Sequence, residues 1–580
     1  MVAAHTNGAE YDVAIIGGGP GGTTTGTLLK KYNPALRVLI LEREQFPRDH
    51  IGESQLPAVS KVLREMDAWE KIEAAGFPVK IGATYTWGQT REPWIFEFVP
   101  LDKVPPQDQI ARPGPYEGWR TMSAYQVDRA IYDDVLLNHA ASLGCEVRQN
   151  TAVEKVLHAD DEIQGLQLAG GETIRARYYV DASGNAAILR RSLKVPCDIP
   201  TRLMNVAFWD YWEKPAWAEQ DDVKATRVHI RSVPFGWIWF IRLSATRVSI
   251  GLVCPADYYK NCGKKPADLY HEALAMEKTI AMETDGAKPR GKVEGTTDWS
   301  FVVQRTYGKN WFLVGECAGF ADPILAAGLT LTQVGARELA YTILELDRRE
   351  HDRNWLLERY HELQTRRVRQ HMRFAEFWYS SNGIFEDIRE NCVKIAAEAG
   401  MKLTPAQAFQ WLSQGGLGDD FLGSAGIGGH DLASMKHVMT RLMGAEQNWM
   451  INGKNCYKLN LANATEVRVG IPHGGRIHPA RAWRRGSSEL IEIGVQGLVT
   501  ECLRHTDDGR ELLAMVRRST GGRASAEQLK MLEYHALQVL ESMANQHWVM
   551  CSVKKNQPLM HVGVPDEGVF IHSDRGEARL

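Results

Sequence analysis

Residues 11 to 42 read YDVAIIGGGPGGTTTGTLLKKYNPALRVLILE. Tyr11 to Ile16 is a short apolar run that stops at Gly17, the pattern of a buried strand. Gly17 to Gly22 is GGGPGG, Thr23 to Lys31 reads as a helix, and Asn33-Pro34 breaks it. Arg37 to Glu42 is a second buried strand. The stretch is thus a β-α-β unit with Gly17-x-Gly19-x-x-Gly22 at its first turn. Gly17 permits the turn, Gly19 lets backbone approach a pyrophosphate, and Gly22 lets helix and strand pack closely. The helix N-terminus offers free N–H groups and a positive dipole end to phosphates. Glu42, twenty residues past Gly22, ends the second strand where a carboxylate can accept from a ribose hydroxyl. The fold class expected is α/β, Rossmann-like, with a dinucleotide site; this motif alone leaves FAD and NAD both open.

Outward from that unit, the spacing predicts a helix over 53–75 and an amphipathic helix over Tyr125–Leu143, closed by Gly144. Strands are expected at Cys145–Val156, Glu162–Gln167 and Arg177–Asp181, and 200–305 reads as strand-rich. Trp311–Val314 is another strand, followed by helices over about Thr330–Arg349 and on to Phe377. The character changes after Tyr379-Ser380-Ser381-Asn382-Gly383, which sets domains of 8–380 and 381–580, the second mixed and mainly helical. Gly415–Gly429 reads as loop and Ser525–Asn545 as helix.

With 44% hydrophobic and 24% charged residues among 580, the chain is globular and excludes a disordered tail-like protein. A formal charge of −3 argues against a nucleic-acid coat, and Arg366, Arg367 and Arg369 read as one solvated helix face. Nine cysteines without CxxC spacing suggest reduced thiols, hence a cytoplasmic setting. No apolar run or signal-like start points to a membrane or export. No metal site is expected: His473, Gly474, Gly475, Arg476 and His478 read as a loop, and His229 as a core histidine.

Two further glycine turns narrow the cofactor. Trp311-Phe-Leu-Val-Gly315-Glu316-Cys-Ala-Gly-Phe-Ala-Asp322-Pro323 resembles the second FAD signature of flavoprotein monooxygenases, with Glu316 where the family usually has Asp. Asp181-Ala182-Ser183-Gly184 resembles their middle motif, and Arg129 in VDRAIYD matches a helix arginine found near flavin phosphates. The resemblance implies FAD and a GR2-type fold like para-hydroxybenzoate hydroxylase over roughly 8–375, with an interleaved substrate-side β-sheet mainly at about 200–305.

Within that superfamily, Phe46-Pro-Arg48-Asp-His-Ile-Gly-Glu-Ser54 resembles the phenol- and pyrrole-type flavin-dependent halogenases. Lys80 in Lys-Ile-Gly-Ala-Thr-Tyr-Thr-Trp87-Gly88 matches the segment of their essential lysine. Phe235-Gly-Trp237-Ile-Trp239-Phe-Ile241 matches most of their Trp-x-Trp-x-Ile-Pro signature, with Arg242 in place of the proline. Asp322-Pro-Ile-Leu-Ala-Ala327-Gly328 matches their halide loop, with Ala326-Ala327 for the usual serine pair. The resemblance implies flavin contacts from Gly17, Gly19, Pro20, Gly22, Glu42, Arg48, Ser54, Arg129, Asp181, Gly315 and Glu316. It implies a halide site on the Ala327 and Gly328 backbone, and catalytic roles for Lys80, Trp237 and Trp239.

The implied activity is FADH2-dependent halogenation. A separate reductase supplies FADH2, O2 gives a flavin C4a-hydroperoxide, and chloride or bromide becomes hypohalite. Lys80 then delivers it to an electron-rich aromatic ring: phenol, pyrrole or indole, free or bound to a carrier protein. Trp237 and Trp239, two apart on a strand, share one face and would separate flavin from substrate. Leu325 stands where tryptophan halogenases carry glutamate, which favours phenol or pyrrole. The rival readings are an NAD(P)H-dependent flavin hydroxylase or reductase of the same fold, and a non-catalytic flavin-binding protein.

Overall fold

The computed structural model describes residues 10–87, 93–98, 124–199, 204–215, 225–297, 300–380, 393–394, 449–486, 488–522 and 525–561. Gly88, the Ser381–Gly383 end of the expected boundary and Gly415–Gly429 lie outside the described residues. The chain divides into two compact units, Met1–Phe385 and, apart from 413–415, the remainder.

In the first unit the apolar runs pair as a five-stranded parallel sheet. Its order is Trp311–Leu313, Ala176–Asp181, Tyr11–Ile16, Val38–Leu41, Glu146–Arg148. All four residues of Val38–Leu41 are buried, as continuous apolar runs require when helices cover both faces. The strand order puts the three glycine turns at the C-terminal ends of neighbouring strands, where ligands bind in open parallel sheets. Helix Pro20–Tyr32 begins earlier than expected because Pro20 takes its first position, and it packs against the long helix Gly328–Arg348.

Several expected elements are corrected. The helix over 53–75 is two helices, Ala58–Glu65 and Trp69–Ala74, interrupted where Asp67 turns left-handed at φ 58°. The helix expected from Tyr125 starts at Arg129: Ala124–Tyr125 is a strand, and the Asp128 carboxylate caps the helix through Ala130 N–H. Cys145–Val156 is two strands, Glu146–Arg148 and Val153–Ala159, in different sheets. Arg367 is not on a solvated face: it is buried and turned toward Glu338, which also binds Arg359 at 2.7 Å.

A second sheet covers the cofactor end. Its path is Lys288–Pro289, Asn205–Glu213, Arg247–Pro255, Gly236–Arg242, Ala225–Val233, Val79–Thr86, Pro93–Glu97, with Glu294–Thr297 and Ala124–Tyr125 paired at its sides. The region 200–305 also holds three helices that its strand-rich text concealed: Ala256–Cys262, Pro266–Met276 and Lys278–Thr284. Leu269, Tyr270 and Leu274 from these helices pack with Ile238, Ile250 and Leu252 on one face of the sheet. Strand alternation therefore sends Trp237 and Trp239 to the other face.

In the second unit the described residues form three helices and five strands around Tyr457, Leu512, Leu540 and Trp548. Helix Ala526–Asn545 has a capping box of Ser525 and Gln528. Gly474 and Gly475, at φ 56° and 75°, turn a hairpin between Thr465–His473 and Arg476–Arg485. Two positive φ values are what a two-residue hairpin turn needs. Among the described residues no group of His, Cys, Asp and Glu is placed to hold a metal, and no helix is long and apolar enough to cross a membrane.

Candidate active site

One cavity runs from the first glycine turn to the inner face of the second sheet. Gly17, Gly19, Pro20, Glu42, Arg48, Ser54, Arg129, Gly315, Glu316 and Gly328 all line it, as do Trp237 and Trp239. Gly17 sits at φ 108°, and a Cβ there would lie 2.4 Å from the Ala182 carbonyl oxygen. Gly22 is a packing residue, since its Cβ would fall 2.0 Å from the Gly17 carbonyl oxygen. Gly19 differs: the nearest atom to an added Cβ is Arg48 Nη2 at 3.6 Å, so the protein leaves that space open. No side chain caps the helix that follows, and no acid occupies its first turn. An open cradle, uncapped N–H groups and the buried, unpartnered Ser54 Oγ fit a pyrophosphate-bearing cofactor.

Glu42 accepts from Gly18 N–H at 2.7 Å and from Glu44 N–H at 2.9 Å, so it braces the turn as well as facing the cavity. Arg129 holds Asp133 through Nε at 2.7 Å and Nη2 at 2.8 Å, and the Ile51 carbonyl through Nη1 at 2.8 Å. Arg48 joins Asp133 at 3.0 Å. Burial alone would raise the Asp133 carboxyl; the two guanidiniums outweigh it and hold it below the usual range. Burial raises Glu316, and Arg129 partly offsets that. Asp181 is corrected: its carboxylate is spent on Ser183, Leu189, Arg190 and Cys317, and its neighbours Ala182 to Gly184, not Asp181, line the cavity.

The turn Pro323–Leu325 is capped by Asp322, whose carboxylate accepts from Ile324 N–H at 2.9 Å. Ala326 is left-handed at φ 54°, and Ala327 then caps helix Gly328–Arg348, with Leu331 N–H bonding Ala327 O. The N–H groups of Gly328 to Thr330 precede the first helical bond and point out of the helix end, a suitable anion seat. Ala327 is buried and does not line the cavity, while Ala326 and Gly328 do. Gly328 is required because a Cβ would meet the Phe320 ring at 2.5 Å.

Lys80 is 1% exposed, and its Nζ donates to the Gln55 carbonyl at 2.9 Å and lies 5.4 Å from the Phe98 ring centre. Burial pulls its amine from 10.5 down to about 7. A break in register sets its direction. Lys80 pairs with Thr226 of strand Ala225–Val233, but Gly82 pairs with Arg227, leaving Ile81 as an extra residue. Paired residues share a face, so Lys80 joins Val228 and Ile230, which line the cavity wall with Trp239. Strict alternation from Tyr85 would have turned it the other way. Lys80 itself does not line this cavity. The partners of Trp239 and Lys80, Ile230 and Thr226, are four positions apart along their strand, about 13 Å, and the two outer strands are about 10 Å apart.

Trp239 donates to Ser249 Oγ at 3.1 Å and packs over Gly251, where a Cβ would lie 2.1 Å from its ring. Sequence reasoning passed over Gly251, whose signal is a glycine inside a strand. It also passed over Glu53, which lines the cavity and whose carboxyl burial lifts to about 7, and over His50, pulled down to about 3 by burial. Both lay inside the quoted 46–54 segment. His229 faces away from the cavity, and burial lowers it to about 4.

Comparison with known proteins agrees with this geometry. The tryptophan halogenase family matches residues 12–109 and 106–387. The chain is 30% identical over 343 residues to the 1H-pyrrole-2-carbonyl-[peptidyl-carrier protein] chlorinase of Pseudomonas fluorescens, spanning 58% of this chain and 76% of that one. It is 30% identical over 333 residues to the tryptophan 2-halogenase of Chondromyces crocatus, spanning 56% and 59%. Among solved structures, the myxobacterial chondrochloren halogenase CndH superposes with a TM-score of 0.56 at 25% identity, over 70% of this chain and 96% of that one. The flavin-dependent halogenase CmlS shares the fold, with a TM-score of 0.68 at 22% identity over 96% and 99%. The flavin cavity, its glycine turns and these relatives converge: the chain belongs to the tryptophan halogenase family and is a flavin-dependent halogenase.

Proposed function

We propose that this halogenase oxidises halide beside the flavin and passes hypohalous acid to Lys80, which delivers the halogen to an electron-rich aromatic ring. Bound and reduced FAD supplies, with O2, the oxidising power; a separate reductase provides the electrons. The chain's own residues do the rest. Gly17, Gly19, Pro20 and the uncapped helix end hold the pyrophosphate. Glu42, Arg48, Ser54 and Arg129 line its path, with Glu316 and Gly315 at the far turn. The Gly328 helix end, beside Ala326, holds the halide. Trp237 and Trp239 wall off the substrate side.

The observation that carries the reading is Lys80: fully buried, on the tryptophan face of the sheet, with an amine near neutrality. Its neutral form can take halogen from hypohalous acid, forming an N–X bond and releasing water, then pass the halogen to the ring and recover the ring proton. Its ammonium form can instead hydrogen-bond the hypohalous acid. Leu325 offers no carboxylate beside the halide turn, which favours phenol or pyrrole over indole, and the carrier-bound pyrrole of the chlorinase relative makes a carrier-bound substrate one arm of the test. Incubation with FAD, a reductase, NADH and each halide over phenols, pyrroles and indoles, free and carrier-bound, read by isotope pattern, tests it. No halogenated product from any of them would refute it.

A further inference from the structure

A buried chain of hydrogen bonds joins the tryptophan wall to the turn before helix Gly328–Arg348. Trp237 Nε1–H donates to Tyr379 Oη at 2.7 Å, and Tyr379 O–H donates to Asp322 Oδ1 at 3.0 Å. Oδ1 also takes the Ile324 N–H at 2.9 Å, and Oδ2 takes Asn205 Nδ2 at 3.1 Å. The Ile324 carbonyl in turn accepts from Tyr85 Oη at 3.3 Å. Trp237 and Asp322 are 1% and 3% exposed, and Tyr379 between them is partly buried. Tyr379 stands at the end of helix Arg353–Ser380, its ring edge-on to Trp87 at 6.2 Å.

We propose that Tyr379 is a positioning residue that locks the wall and the halide turn into one geometry. The inference rests on the halide reading of residues 322–328. An indole has one N–H, and Tyr379 fixes which way the Trp237 ring presents it. The turn needs a clamp, because Ala326 holds a left-handed conformation that costs a residue with a Cβ roughly 1 kcal/mol. Asp322 is that clamp, and Tyr379 holds Asp322. Without the hydroxyl, Trp237 keeps a buried, unpaired N–H and the Asp322 carboxylate loses a donor in a dry site. The turn then relaxes toward an ordinary backbone, its N–H groups no longer converge on halide, and the wall ring is free to rotate.

Tyr379→Phe removes the hydroxyl and keeps the ring. The full chain loaded with FAD is titrated calorimetrically with bromide, and bromide KM, kcat and hydrogen peroxide released per product are measured. Loss of one hydrogen bond's worth of positioning should raise bromide Kd and KM about fivefold while kcat falls less than about twofold. Peroxide per product should rise. Trp237→Phe should act in the same direction, and the double variant should be no worse than the worse single one, because both cut the same chain. A Tyr379→Phe protein with a lower Tm but unchanged bromide affinity and peroxide ratio would show plain packing and overturn the proposal, as would multiplicative effects in the double variant. If Tyr379→Phe does not fold, Asp322→Ala, which removes the acceptor of both Tyr379 and Ile324, carries the same expectation and the same refutation. Gly328→Ala separates the two readings: if it leaves bromide affinity unchanged, the halide assignment fails; if it lowers affinity and Tyr379→Phe does not, only the positioning role fails.

Discussion

Replacing Lys80 by methionine should stabilise the protein, by an amount that depends on pH. The lysine amine has an ordinary value of 10.5 in an unfolded chain and about 7 in its buried site. At ~1.36 kcal/mol per pH unit, that difference corresponds to about 5 kcal/mol of destabilisation whenever both states carry the proton. Below about pH 7 both do, so the wild type bears the whole penalty. Between about 7 and 10.5 the unfolded chain binds more protons than the folded one, so wild-type stability rises with pH. Above that window neither carries the proton and the penalty is gone. Methionine fills a similar volume and has no charge to bury. It also leaves the Gln55 carbonyl without its donor, a pH-independent loss of about 1 kcal/mol. The variant should therefore be more stable by about 4 kcal/mol near pH 6, and the advantage should vanish or reverse near pH 10. Urea unfolding of both chains without FAD, followed at several pH values, reads the gap directly. A gap that does not change with pH would mean that Lys80 is not a buried amine with a lowered pKa, and the delivery chemistry would lose its physical basis.

Gly19→Ala should fold normally, because only Arg48 Nη2 at 3.6 Å meets its Cβ, yet it should weaken FAD binding by tenfold or more, about 1.4 kcal/mol. Gly22→Ala, whose Cβ strikes backbone at 2.0 Å, should instead lower Tm whether or not FAD is present. Calorimetric FAD titration and thermal melts separate the two; an unchanged FAD affinity in Gly19→Ala would displace the pyrophosphate from this turn. Bromide should be accepted at least as readily as chloride, since it is easier to oxidise and less tightly hydrated and the Ala326-Ala327 turn lacks hydroxyls; competition at equal concentrations checks this, and a clear preference for chloride would contradict it.

The core of the parallel sheet was legible because Tyr11–Ile16, Val38–Leu41 and Trp311–Leu313 are short apolar runs, and Tyr11–Ile16 matches its expected bounds, whereas the edge strand Glu146–Arg148 is charged and hid inside a longer expected strand. Three glycine turns then had to meet at one sheet edge, which strand order alone guarantees. What the sequence concealed depends on long-range pairing. Gln126 and Asp128 read as helix, but one bridges Ser54 and the other caps the helix start. Lys80 could be placed in a motif, but the register slip that turns it toward the tryptophan face exists only in its pairing with Thr226 and Arg227. Asp181 looked like a flavin contact because Asp181-Ala182-Ser183-Gly184 resembles a flavoprotein motif, and the competing bonds of its carboxylate to Leu189 and Arg190 N–H were invisible without the fold. Glu53 and His50 sat in a quoted segment, but only burial gives them perturbed carboxyl and imidazole groups.

The central claim is that Lys80 carries the halogen from the flavin side to the ring. The most direct measurement is product formation by Lys80→Ala and Lys80→Arg with FAD, reductase, bromide and an accepted aromatic substrate, alongside O2 consumption. Both variants should bind FAD and consume O2 as the wild type does, releasing peroxide or free hypohalite instead of brominated product. Arginine should fail nearly as completely as alanine, because it stays protonated and cannot accept halogen on nitrogen. Brominated product from Lys80→Ala at near wild-type rate and regiochemistry would remove Lys80 from the reaction and contradict the account.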